Sequence, residues 1–164
     1  MPEELFDVCD EQDRVIGTEL RSVVHAKKLL HRAVHIFVFN TRGELLLQMR
    51  SATKDEYPSC YTSSASGHLS AGESYEDAAP RELQEELGLA VPLERLVKLP
   101  ASPRTSYEHT VLYRAVTDAM PQLDPGEIAS ASFYTLEEIA CLIEADPERF
   151  SPCFVELFRW YQER

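Results

Sequence analysis

Three glutamates, Glu82, Glu85 and Glu86, stand at positions i, i+3 and i+4 of the stretch RELQEEL. On a helix, all three carboxylates would share one face. Taken alone, such a run is a solvated acidic surface more often than a site. Here it follows a glycine-rich loop, and like charges at this spacing repel. A hard dication such as Mg²⁺ relieves that repulsion, because it prefers carboxylate oxygens and keeps several waters for a phosphate-bearing substrate. Bound there, it would neutralise a diphosphate, lower the pKa of a coordinated water and stabilise the leaving phosphate.

The element that must carry these glutamates runs from Ser74 to Leu87. Ser74 is placed to cap its start, with Asp77 as a weaker capping-box acid, and Gly88 to stop it. Pro80 lies inside the pattern, where a helix interior loses ~3 kcal/mol, so a kink or an irregular first turn is expected. Upstream, LFDVCDEQDRVIGTEL reads as a hairpin around Asp10 to Asp13, and Arg21 to Leu30 as a short helix. His31 to Asn40, the turn TRGE and LLLQMR read as a second hairpin, followed by a polar loop holding Lys54 and Pro58. Downstream, LERLVKL, HTVLYRAV and SASFYTL read as strands, and Thr135 to Ala145 and Pro152 to Gln162 as helices. In the last helix Phe154, Leu157, Phe158 and Tyr161 form a core stripe, with Trp160 off it. The fold class is α/β: a mixed, partly curled sheet covered by helices on two sides.

Length and charge narrow the partners. A chain of 164 residues suffices for one domain, 1–164, with a real core. Its net charge of −12 argues against nucleic acid or an anionic membrane as partner. An anionic small molecule remains compatible if cations bridge it to the protein. No apolar run approaches the ~20 residues of a membrane span, and the acidic start lacks signal-peptide regions. Cys9, Cys60, Cys141 and Cys153 show no zinc spacing, so we expect reduced, mostly buried thiols in a cytoplasmic protein. Oligomeric state is left open, a homodimer being one arrangement.

Residues 67–89 fit G-x5-E-x7-R-E-U-x-E-E-x-G-U, U being aliphatic, at every specified position. The chain thereby resembles the Nudix hydrolases. The resemblance implies an α/β/α sandwich with a loop–helix–loop metal site and water attack on a nucleoside diphosphate derivative or related organic diphosphate. It implies Mg²⁺ or Mn²⁺ on Glu82, Glu85 and Glu86, with the Gly67 carbonyl as a further ligand. Arg81 would orient a carboxylate, and Glu73 would support the loop or the metal shell. The general base is drawn from the box (Glu85) or from a distal loop, where Glu127 in DPGEI and Glu108 are the candidates.

Over most of its length the chain is also similar to isopentenyl-diphosphate isomerases, in LLHRAVHIFVFN, LLLQMRSATK, the SGH before the box, DPGEI and FSPCF. That likeness implies phosphate contacts from Arg50 and Lys54. It also implies a separate metal held by histidines and glutamate, which His31, His68 and Glu108 match, whereas His25 matches only with one residue deleted. Zn²⁺ or Mn²⁺ would suit such ligands, but the incomplete set favours hydrogen-bonded structural histidines. His35 and His109 are assigned no role. At the reacting centre the isomerase cysteine is Ser66, one glutamate of E-x-E is Ser106, and a tryptophan is Cys153. These departures favour hydrolysis over isomerisation, and the intact glutamate set counts against a silent binding module. Tyr61, Tyr107, Phe133 and Tyr134 are the aromatic residues available to stack a base, or to fill the core.

Overall fold

A computed structural model describes residues 3–164. Strands β1 (Leu5–Cys9) and β2 (Val15–Leu20) form a separate antiparallel ribbon. Its turn is held by the Asp10 carboxylate, which accepts from the backbone N–H groups of Gln12 and Arg14. Helix α1 (Arg21–Lys27) follows and ends on Lys28 in the left-handed region.

The main sheet is built on β3 (His31–Phe39), which pairs in parallel with β8 (Glu108–Val116) from His31↔Glu108 to Phe39↔Val116. β7 (Glu94–Leu99) extends it antiparallel beyond β8. On the other side of β3 lie β4 (Leu45–Arg50), β5 (Tyr61–Thr62), β6 (Ala65–His68) and β9 (Ile128–Tyr134). The expected second hairpin is only its turn. β3 and β4 share a single pair, Phe39↔Leu45, after which β6 takes the edge of β3 and β9 runs along β4. Ser64 bridges this parting of strands: its hydroxyl donates to the Leu46 carbonyl and accepts from the Val38 N–H. Backbone groups that leave the ladder are thus satisfied by a side chain.

Alternation along β3 sends Val34, Ile36 and Val38 to one face and Phe37 and Phe39 to the other. The first face packs on α2 (Tyr75–Leu87) through Leu83 and Leu87, each burial contributing roughly 1.5–3 kcal/mol. The second packs on α3 (Leu136–Ala145) and α4 (Pro152–Gln162), through Ile139, Phe154, Leu157 and Phe158 among others. Helices therefore cover a mixed sheet on both faces, as the patterning predicts. The caps of α2 are those expected: Ser74 Oγ accepts from the Asp77 N–H, and Gly88 has φ 63°. Pro80 does not interrupt the helix, which is continuous from Tyr75 to Leu87. Full burial of Ala78, Ala79 and Leu83 around it offsets the lost hydrogen bond. All four cysteines are free, but only Cys9 and Cys153 are buried, so the expectation of mostly buried thiols holds for half of them. Among the described residues no helix is long and apolar enough to cross a membrane.

Candidate functional site

α2 lies against β6 so closely that position 67 admits no side chain. A Cβ there would overlap the Glu82 carboxylate, with Oε2, the farthest of its three atoms, only 2.5 Å away. Glycine is what lets a helix carboxylate rest on a strand backbone. Glu86 lies one turn on, its Oε1 accepting from the Ser66 N–H (2.9 Å) and from Gln48 Nε2 (3.2 Å). Burial, aided by the charge of Glu82, pushes the Glu86 carboxyl up to about 8. Burial likewise raises Glu82 to about 7, against the opposing pull of Arg81. Glu85 is more open and lies 3.2 Å from Arg81 Nη1. Two buried, mutually repelling acids beside a glycine cradle fit a hard dication well.

Arg81 is the brace. Its Nε and Nη2 donate to the two oxygens of Glu73 (2.7 and 2.8 Å), Nη2 also to the His68 carbonyl (3.2 Å), and Nη1 to Glu82 (2.8 Å). Glu73 in turn accepts from the Ser70 N–H, tying the loop to the helix. Across a cleft of about 470 Å³, Lys54 pairs with Glu127, and Arg50 Nε donates to the Glu56 carbonyl (2.9 Å). Glu82, Glu85, Glu86, Arg50, Lys54 and Glu127 thus line one cleft.

A second group of ligating atoms adjoins the cleft at His68 and Glu108. His25 of α1, His31 at the start of β3 and His68 at the end of β6 bring one ring nitrogen each within 4.8 Å of the others. The parallel register sets Glu108 opposite His31, and its Oε2 lies 2.5 Å from His68 Nε2 and 3.4 Å from His31 Nε2. Burial would raise the Glu108 carboxyl, but His68 and His31 outweigh it and hold it far below the usual range. His31 Nδ1 faces the Leu29 carbonyl at 2.8 Å, which fixes that nitrogen as the donor. Nε2 of His25 and of His31 are buried without a hydrogen-bond partner. Phe6 stacks on His31 and covers His68. Orphaned buried imidazole nitrogens beside a carboxylate fit a zinc- or manganese-type ion. In sequence the set looks incomplete, which favours structural histidines; α1 and the Lys28 turn bring His25 into the group despite its displaced position.

His35, to which the sequence reading gave no role, also lines the cleft. Its Nδ1 meets Ser63 Oγ at 2.7 Å, and burial lowers it to about 4, so the ring is neutral. Cys153 and Glu108 approach the same ring, but burial and Glu108 raise the Cys153 thiol far above the usual range. A protonated thiol is a poor ligand. His109 is structural, joining Asp10 O and the Ala101 N–H. Of the aromatic residues considered for base stacking, Tyr61, Phe133 and Tyr134 pack against the two cores. Among the described residues Tyr57 is the one aromatic side chain lining the cleft, and no local sequence pattern marked it.

Comparison with known proteins matches residues 29–158 to the family model described as NUDIX domain. An isopentenyl-diphosphate Delta-isomerase of Serratia proteamaculans is 33% identical over 96% of this chain and 90% of that protein. A prenyl-diphosphate phosphatase of Methanosarcina mazei is 33% identical over 93% and 91% respectively. The crystal structure of the Deinococcus radiodurans protein DR0079 superposes with a TM-score of 0.83 at 29% identity, covering 95% of this chain and 98% of that one.

Proposed function

This chain belongs to the Nudix hydrolase family, and from that premise we propose that it hydrolyses the diphosphate of a small organic substrate of the prenyl type. The observation that carries the reading is the Glu82–Glu85–Glu86 cluster seated against Gly67. Mg²⁺ or Mn²⁺ held there, with the Gly67 carbonyl as a further ligand, would supply charge neutralisation and an activated water. Arg81 holds Glu82 and Glu85 in place while Glu73 fixes Arg81. Arg50 and Lys54 take the phosphate oxygens.

Glu127 is the general base. When Lys54 turns to the substrate, Glu127 loses its partner and accepts the proton of the attacking water. The new P–O bond forms as the bond to the leaving phosphate or alcohol breaks. Glu108 is a poor alternative, because His31 and His68 hold its carboxyl ionised and engaged. The prenyl class is supported by the Methanosarcina mazei phosphatase and by a cleft with one aromatic side chain for a base to stack on. His25, His31, His68 and Glu108 would hold a second ion, zinc or manganese, beside the cleft.

Isomerisation is the second reading, favoured by the assembled histidine group and by the Serratia proteamaculans relative. Against it stand Ser66, a far weaker acid than cysteine, and the loss of a second glutamate at Ser106. A phosphate-release screen with Mg²⁺ over prenyl diphosphates, nucleotide sugars, dinucleotides, coenzymes and nucleoside triphosphates tests the proposal. Release from prenyl diphosphates ahead of nucleotides supports it, and release from none of them removes it.

A further inference from the structure

The loop of residues 51–60, between β4 and β5, runs past both groups of ligating side chains. It is folded back on itself, with Tyr57 at φ 48° and Ser59 at φ 58°. Arg21 of α1 holds one side of it, its Nη2 donating to both oxygens of Asp55 at 3.2 and 3.3 Å. The next residue is Glu56, which borders the main cleft and also a smaller recess lined by His25 and His31. Its Oε1 stands 3.4 Å from His25 Nε2, the buried nitrogen that has no hydrogen-bond partner.

We propose that Glu56 is a ligand of the ion held by the histidines, entering from the His25 side while Glu108 closes the side of His31 and His68. The inference rests on the reading that these histidines bind a metal. Charge supports it. Three neutral imidazoles and Glu108 leave one positive charge uncompensated on a divalent ion in a largely buried place, and a second carboxylate cancels it. Position adds a consequence, because Glu56 is two residues from Lys54 on the same loop. An ion bound by Glu56 therefore fastens the loop and places Lys54 over the cleft before substrate arrives. Occupancy of the histidine site would then act on KM for the diphosphate more than on kcat.

Calorimetric titration of the full chain with Zn²⁺, in saturating Mg²⁺, tests the assignment. One equivalent of Zn²⁺ is expected on the wild type, with affinity at least about 10-fold weaker in Glu56→Gln, in the range found when a metal-supporting group is lost. His31→Ala should lose the zinc site. Hydrogen exchange gives a readout that needs no variant: Zn²⁺ should protect the amides of residues 51–60 in the wild type. Wild-type zinc affinity in Glu56→Gln, or zinc binding without protection of that loop, overturns the proposal. Failure of the wild type to bind Zn²⁺, or full affinity in His31→Ala, would instead remove the histidine site itself.

Discussion

A methyl group at position 67 should disable the cleft without unfolding the protein. Alanine there overlaps the Glu82 carboxylate on all three of its atoms. The backbone of β6 is fixed by its ladder to β3, so the side chain of Glu82 has to yield. Swinging away breaks its 2.8 Å contact with Arg81 and removes one oxygen ligand from the cluster. Overpacking of this kind costs about 1–3 kcal/mol, and in a chain of this size each kcal/mol lowers Tm by about 2–4 °C. The catalytic loss should be larger. Removing one preorganised charge-stabilising group costs about 2.7–4 kcal/mol at the transition state, or roughly 10²–10³ in kcat. Mn²⁺ binding followed by EPR, phosphate release and metal-free thermal melting separate the two effects. Gly17→Ala serves as control, since a Cβ at position 17 meets nothing within 4 Å. Wild-type Mn²⁺ affinity and turnover in Gly67→Ala would refute the idea that this glycine exists to seat Glu82.

Glu85→Gln and Glu86→Gln should each abolish metal-dependent phosphate release. The exposed Glu85→Gln change should alter stability by no more than about 0.5 kcal/mol in urea unfolding; full activity in either variant contradicts the mechanism. Isopentenyl diphosphate incubated in D₂O with Mg²⁺ should yield no deuterated allylic isomer by NMR, and its appearance would reverse the ranking of the two readings. The Asp13 side chain is 5% exposed and accepts from Arg32, Tyr75 and Lys98. Burial would raise its carboxyl, but those donors outweigh it and hold it at about 2. Because the folded value lies below the unfolded one, this stabilisation, on the order of 2 kcal/mol, is complete near neutral pH and is lost as pH falls through about 2. Asp13→Asn should therefore be less stable at neutral pH and show a flatter loss of urea stability between about pH 4 and pH 2. Parallel curves for the two proteins would show that the carboxylate is not the source.

What the sequence made legible was what depends on near neighbours. Helix α2, its caps and its shared carboxylate face follow from spacings of three and four residues, and all are present. The β3–β4 turn was equally legible, since Asn40 Oδ1 accepts from the N–H groups of Arg42 and Glu44 around Gly43. Its ladder was not, because partner choice is decided by β6 and β9, far along the chain. The same limit left the histidine group incomplete. Its completeness depends on the parallel register of β3 with β8 and on where α1 sets His25, and neither leaves a local pattern. Among the acids offered as general base, type and position could not separate Glu108 from Glu127. Their surroundings differ: one is gripped by two imidazoles, the other is paired with a lysine.

The acidity of the chain becomes intelligible at the cleft. Eight carboxylates line it against four Lys or Arg side chains, so the protein alone repels a diphosphate there. A divalent ion on the glutamates would reduce that excess, and a second on the histidines would reduce it further. Consecutive residues of β6 serve the two groups: position 67 lies against Glu82, and the next residue, His68, turns its ring to His31 and Glu108. Arg81 spans them by donating to Glu82 and to the His68 carbonyl. A shift of this strand would disturb both sets of ligands together. Cation loading and the position of β6 would therefore be coupled in the proposed mechanism, with bound cations offsetting the charge that an anionic substrate meets.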